Sequence, residues 1–273
     1  MNQKRIFWMI VLFWLVSLDV TLAYRLEQDH GFRQQESQLL KEEEALSVLR
    51  TFALPKDAYE QGENLLAYLF CQSEDEAELK RWRRLERSAD KKLYEDFKNI
   101  AESLLADAVY FPVPAAANDK KAFVSYENSW QSERTYGGVR GHEGTDIMAS
   151  IQQRGYYPIV SVSDGVVEKI GWLPQGGYRI GIRSKHGVYY YYAHLAEYEE
   201  GLVQGAEVAA GQLLGYMGDT GYSEVEGTTG NFPVHLHFGM YLDLEGKGEV
   251  SFNPYYLLGL LEEHKLMYVY EKK

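Results

Sequence analysis

The chain has 273 residues, enough for one or two domains that each bury a core. Its formal net charge is −12, divided as +1 over residues 1–23, −6 over 24–110 and −7 over 111–273. Acidic surfaces argue against nucleic acid and anionic lipid headgroups as partners, and a single cysteine, Cys71, excludes an intramolecular disulfide.

In chain order, the first predicted element is a membrane or signal segment at residues 1–24. Lys4 and Arg5 precede 13 almost continuously apolar residues, 6–18, and the apolar character runs on to Ala23. The positive flank places the N-terminus inside and the rest of the chain outside the cytosol. Through Ala23 the stretch is long enough to span a bilayer if Asp19 lies at the interface. A single-pass anchor with the C-terminal part outside the cell is the expectation. Cleavage after Thr21-Leu22-Ala23, leaving a secreted chain, is the other reading.

Residues 25–110 read as a helical subdomain. Leu39, Leu40, Leu46 and Leu49 carry a helical pattern that Pro55 breaks. A second helix is expected over 57–71 through Leu65, Leu66, Leu69 and Phe70, with Cys71 as a buried thiol. Ser73-Glu74-Asp75-Glu76 has a capping-box pattern, and Leu79, Trp82, Leu85, Leu93, Phe97, Ile100 and Leu104 recur at helical spacing up to about Ala108. No residue in this region carries chemistry. Its expected use is as a spacer and a surface for a protein partner.

Pro112 and Pro114 mark the boundary to a third segment, 111–273, in which glycine is frequent and short β-branched and aromatic runs alternate with turn signals. This segment reads as mainly antiparallel β. Asp164-Gly165 between two such runs predicts a hairpin. Residues 178–183 and 188–194 form a second pair joined through Lys185-His186-Gly187, and Asn253-Pro254 opens a last helix at about 255–265.

The chemistry sits in three places. His235-Leu236-His237 lies in a strand with Val234, Leu236 and Phe238 toward the core. Side chains alternate along a strand, so the two histidines face the same way with Cα atoms about 6.5 Å apart. They can serve one metal, or divide into one ligand and one acid/base. Upstream, His142-Glu143-Gly144-Thr145-Asp146 holds a histidine and a carboxylate in a stretch whose Gly144 and Thr145 disfavour helix. A bent loop or strand end can turn both toward one ion. Zinc takes His nitrogen and carboxylate oxygen, and a catalytic site uses three protein ligands. His142, Asp146 and one of the paired histidines would supply them, leaving the other histidine for proton transfer. The third place is His194. Alternation along residues 188–194 puts it on the face of Tyr190 and Tyr192, and an imidazole titrating near neutrality suits proton transfer. His30, His186 and His264 receive no role.

Taken in order, His142-Glu143-Gly144-Thr145-Asp146, Tyr192-Ala193-His194-Leu195 and His235-Leu236-His237, with the Asp164-Gly165-Val166-Val167 and Gly218-Asp219-Thr220-Gly221 turns, resemble the LytM/lysostaphin family of zinc metallopeptidases. The resemblance covers about residues 111–258. It implies a small β fold of the duplicated hybrid motif type with an open groove, and endopeptidase activity on bacterial peptidoglycan peptides. It assigns Zn2+ to His142, Asp146 and His237, and catalysis to His194 and His235. Tyr136 matches a substrate-binding tyrosine that the family places shortly before its first zinc-binding histidine. Some relatives lack the metal ligands and serve as amidase activators or in sporulation channels. A membrane-anchored, non-catalytic scaffold is therefore the alternative.

Overall fold

The computed structural model describes residues 99–100 and 102–271. The expected membrane segment and nearly all of the expected helical subdomain lie outside them. Among the described residues no helix is long and apolar enough to cross a membrane.

Four antiparallel strands form the middle of a ten-stranded sheet: β7 (Gly165–Leu173), β8 (Gly177–Arg183), β9 (Val188–Tyr198) and β12 (His235–Leu244). The β8–β9 pair is the expected hairpin through Gly187, whose φ of +90° suits glycine. β5 (Thr145–Ala149) pairs with the first half of β12, and β13 (Gly248–Phe252) with its second half. β2 (Val124–Tyr126) covers the outer edge of β5, and β10 (Glu207–Val208) the outer edge of β7. β11 (Leu213–Met217) pairs with both β9 and β6 (Pro158–Val160). A small hairpin, β3 (Glu133–Arg134) with β4 (Arg140–Gly141), stands apart from this sheet. The mainly antiparallel β architecture is as the alternating runs predict.

One face of the sheet is the core. Tyr190 and Tyr192 of β9 and Leu236, Phe238 and Met240 of β12 are fully buried there, and Phe238 packs against both tyrosine rings at 6.1 and 5.4 Å. The Val162 N–H donates to the buried Tyr192 hydroxyl at 2.9 Å. The helix α1 (Tyr255–Leu261) adds Leu257, Leu258 and Leu261. Leu104, Leu105, Phe111 and Val113 join the same cluster, so the chain just before the β segment packs on it. Ahead of the sheet, β1 (Ala115–Ala116) runs parallel to the last strand, β14 (Met267–Tyr268).

One expected hairpin does not form. Asp164-Gly165 lies between β6 and β7, but β6 pairs with β11, and β7 pairs with β8 and β10. All three residues of β6 are buried, so its partner is set by the core rather than by the adjacent turn. Gly165 instead permits close strand approach. A Cβ there would lie 2.5 Å from the Arg183 carbonyl oxygen.

Candidate metal centre and groove

The metal-type cluster is assembled by strand register. His237 pairs directly with Asp146 across β12 and β5, and with Ala193 across β12 and β9. His142 follows β4 and reaches the same point from the loop. His142 Nε2, Asp146 Oδ1 and His237 Nδ1 stand 2.9–3.0 Å from one another. Gly144 makes this approach feasible, because a Cβ there would come within 2.6–2.7 Å of the His237 ring and 2.7 Å of the Phe238 carbonyl.

Protons can be placed from the partners. The Ser129 hydroxyl and carbonyl lie 3.0 and 3.2 Å from His142 Nδ1; with the hydrogen on Nδ1 and donated to the carbonyl, Nε2 presents a lone pair to Asp146 and His237. A bare imidazole nitrogen 3.0 Å from a carboxylate oxygen is repulsive unless a cation joins them. Two imidazoles and one carboxylate are a three-ligand set of the kind zinc takes in catalytic sites. The residues present therefore fit the ion. Arg134, on β3, donates to the second carboxylate oxygen at 2.6 Å and leaves Oδ1 turned to the cluster.

His194 and His235 complete the site. His235 Nδ1 donates to the Pro233 carbonyl at 2.7 Å, and its Nε2 lies 3.8 Å from Asp146 Oδ1. His194 Nδ1 donates to the Thr220 carbonyl at 2.7 Å, and the two rings are 4.8 Å apart. With Nδ1–H occupied in both, Nε2 is the nitrogen free to take or give a proton. Burial holds both rings below the ordinary histidine range, His194 the more strongly. The five residues expected to bind metal or carry out catalysis are thus brought together.

His194 does not lie on the face of Tyr190 and Tyr192 as alternation predicts. Its φ is +63°, and the β8–β9 register shifts between Tyr178 and Ile180. That left-handed residue and bulge turn its side chain to the groove, where Tyr191 lies, while Tyr190 and Tyr192 stay in the core. Tyr136 stacks on Tyr222 at 4.5 Å with the rings nearly parallel, and Tyr222 lines the groove. The sequence reading missed Arg134, Ser129 and the Thr220 carbonyl. Only Thr220 had a signal, as part of Gly218-Asp219-Thr220-Gly221.

A groove of about 620 Å³ passes over the cluster. Its floor is the second face of the sheet, where the rings of Tyr189, Tyr191 and Tyr241 meet at 6.2–6.4 Å. Burial pushes the Tyr189 hydroxyl up to about 12, so it stays protonated at neutral pH.

Comparison with known proteins gives a consistent result. A family model described as Peptidase family M23 matches residues 140–254. The chain is 43% identical over 163 residues to a Bacillus subtilis protein named L-Ala--D-Glu endopeptidase, covering 60% of this chain and 45% of that protein. It is 33% identical over 119 residues to lysostaphin from Staphylococcus simulans, covering 41% of this chain and 21% of that one. A solved structure of a candidate glycyl-glycine endopeptidase, lytM, from Ruminococcus gnavus superposes with a TM-score of 0.71 and 42% sequence identity, covering 82% of this chain and 94% of the other. The chain spans less than half the length of the curated relatives it matches.

Proposed function

The chain belongs to peptidase family M23, and we propose that it is a zinc-dependent endopeptidase that hydrolyses peptide bonds of bacterial peptidoglycan. One observation carries the reading: three metal-type ligand atoms meet within 3.0 Å, and two further histidines face them, each with Nδ1 held by a backbone carbonyl. A scaffold on the same fold would need the first set at most and would have no use for the second. The relatives named as endopeptidases support the same conclusion.

His142, Asp146 and His237 would hold the zinc. When bound, zinc supplies Lewis acidity that polarises a carbonyl and acidifies water beside it. The rest falls to the chain. Neutral His194 and His235 each offer Nε2 as an acceptor for a proton leaving the attacking water. Once protonated, the same nitrogen is a donor that can stabilise an oxyanion or pass the proton to the leaving amine. Thr220 and Pro233 fix the tautomers, so neither ring must reorganise during the reaction. Tyr189, Tyr191 and Tyr241 form a rigid floor for an extended peptide.

The test is release of new amino termini from purified peptidoglycan. Cleavage should appear with the zinc-loaded protein, vanish on chelation and return when zinc is restored. A protein that holds zinc stoichiometrically yet releases no amino termini would be a scaffold.

We also propose that the catalytic segment lies outside the cytosol, anchored by residues 1–24. Lys4, Arg5 and the apolar run support this. A reporter enzyme active only outside the cytosol, fused after Lys273, should be active. A silent fusion would end the proposal, and the mass of the mature chain separates anchoring from cleavage and secretion.

A further inference from the structure

The loop between β11 and β12, residues 218–234, carries both carbonyls that hold the proton-handling histidines, Thr220 for His194 and Pro233 for His235. The loop is tied to itself and to the domain. Buried Asp219 accepts from Arg154 at 2.6 and 3.0 Å and from the Gly230 N–H at 2.9 Å. The Asn231 side-chain amide donates to the Gly221 and Tyr222 carbonyls at 3.1 and 3.3 Å, and the Gly221 N–H to the Thr228 carbonyl at 3.0 Å.

The same loop sends one side chain against both histidines. The half-buried ring of Phe232 has its centroid 4.5 Å from that of His194 and 5.1 Å from that of His235, edge-to-face in each case. The two imidazoles are themselves 4.8 Å apart, so three rings close a triangle. Tyr222, in the left-handed region at φ +53°, packs on Phe232 at 4.9 Å, and Tyr136 of the β3–β4 turn stacks on Tyr222. Phe232 is thus supported by rings that end on the small hairpin.

The triangle answers a need of the chemistry. Each histidine has one tether, the bond from Nδ1–H to a carbonyl. One hydrogen bond selects the tautomer but lets the ring rock about the N–H···O direction. Proton transfer needs Nε2 within about 2.6–3.2 Å of its partner atom, and a displacement of about 1 Å can cost about 10²-fold in rate. A third ring pressed on both imidazoles at once removes the rocking that the tethers allow.

We propose that Phe232 is a positioning residue for His194 and His235, an aromatic wedge that keeps both rings on their carbonyls and both Nε2 atoms at the metal-type cluster. This rests on the peptidase reading for the task of the two histidines. It adds to that reading a residue that touches neither the metal ligands' rings nor the main sheet's tyrosine floor, and that belongs to the loop.

The experiment compares wild type, Phe232→Ala and Phe232→Tyr as zinc-loaded full chains with 15N-labelled histidine, at one fixed pH. It reads the imidazole 15N signals, zinc content, melting temperature, and kcat and KM on soluble peptidoglycan fragments. In wild type His194 and His235 should each show one protonated and one bare nitrogen. In Phe232→Ala these signals should move toward the average of the two tautomers. Its kcat should fall by up to about 10²-fold, with KM and zinc content little changed. Phe232→Tyr keeps the ring and should restore signals and kcat together. Should Phe232→Ala fail to fold, Phe232→Val, apolar but too short to meet both imidazoles, carries the same expectations. A wedge that only filled the loop would lower the melting temperature and leave the 15N signals where they were. Unmoved signals or an unchanged kcat in the truncated variant overturn the proposal, and so does a loss that Phe232→Tyr does not reverse. If wild type cuts no peptidoglycan while the signals respond as expected, the peptidase reading fails and the positioning stands on the signals. If wild type cuts and the signals do not respond, the reverse holds.

Discussion

His237→Ala should empty the metal site, whereas His235→Ala should leave the metal in place and slow turnover. The two side chains leave the same strand on the same face, two residues apart, so their different fates are a question of reach. His237 Nδ1 stands 2.9 Å from Asp146 Oδ1 and 3.0 Å from His142 Nε2. His235 Nε2 stays at 3.8 Å from the same carboxylate oxygen, with its other nitrogen tied to Pro233. Removing one ligand of three should weaken zinc binding by more than the 10–100-fold typical of losing an outer partner. Removing His235 keeps the ligand set whole and should lower the rate by about 10²–10⁴. Elemental analysis of both variants, beside hydrolysis of peptidoglycan, measures the split. Loss of zinc from His235→Ala with retention in His237→Ala would reverse the two roles.

Gly177→Ala should destabilise the domain and disable His194 without touching a metal ligand. Gly177 opens β8 with φ +64°, and a Cβ there would lie 2.2–2.4 Å from the Thr220 carbonyl and hydroxyl. Neither can retreat easily. The Thr220 hydroxyl accepts from Tyr178 N–H and donates to the Leu195 carbonyl, while the Thr220 carbonyl holds His194 Nδ1 at 2.7 Å. Left-handed backbone costs an alanine about 1–2 kcal/mol, and overpacking adds about 1–3. The melting temperature should fall by on the order of 10 °C. Gly246→Ala is the control, with φ +75° but nothing within 4 Å of the added methyl. It should cost the backbone contribution alone and leave activity intact. Equal losses of stability in the two variants would show that the Thr220 contact does not matter. Zinc content should be unchanged in both.

The sequence disclosed most about groups related by a fixed period and least about groups related by distant pairing. His235 and His237 were legible because strand alternation needs no knowledge of the fold. Their convergence with His142 and Asp146 was legible through order and residue type, since a bent His142–Asp146 stretch can only serve a second element. The direction of His194 was not, because a single left-handed residue and a bulge undo the alternation used to place it. Asp164-Gly165 misled for the opposite reason: its turn chemistry is local, whereas the partner of β6 is chosen by the core some 50 residues away. Arg134 left no signal. It reaches Asp146 through a hairpin, and a charged residue at that position reads as solvated surface.

The parallel pairing of β1 with β14 bears on how the domain resists force. Ala115 N–H donates to the Leu266 carbonyl and Ala117 N–H to the Tyr268 carbonyl, each at 2.7 Å, and Asn118 and Tyr270 exchange two further bonds at 2.8 Å. A pull on the chain before Ala115 and after Tyr270 would drive the two strands in opposite directions along their shared axis. The bonds would then be loaded together in shear rather than peeled one by one. Tension transmitted through both ends would therefore be borne at this clasp, away from the sheet face that carries the histidines.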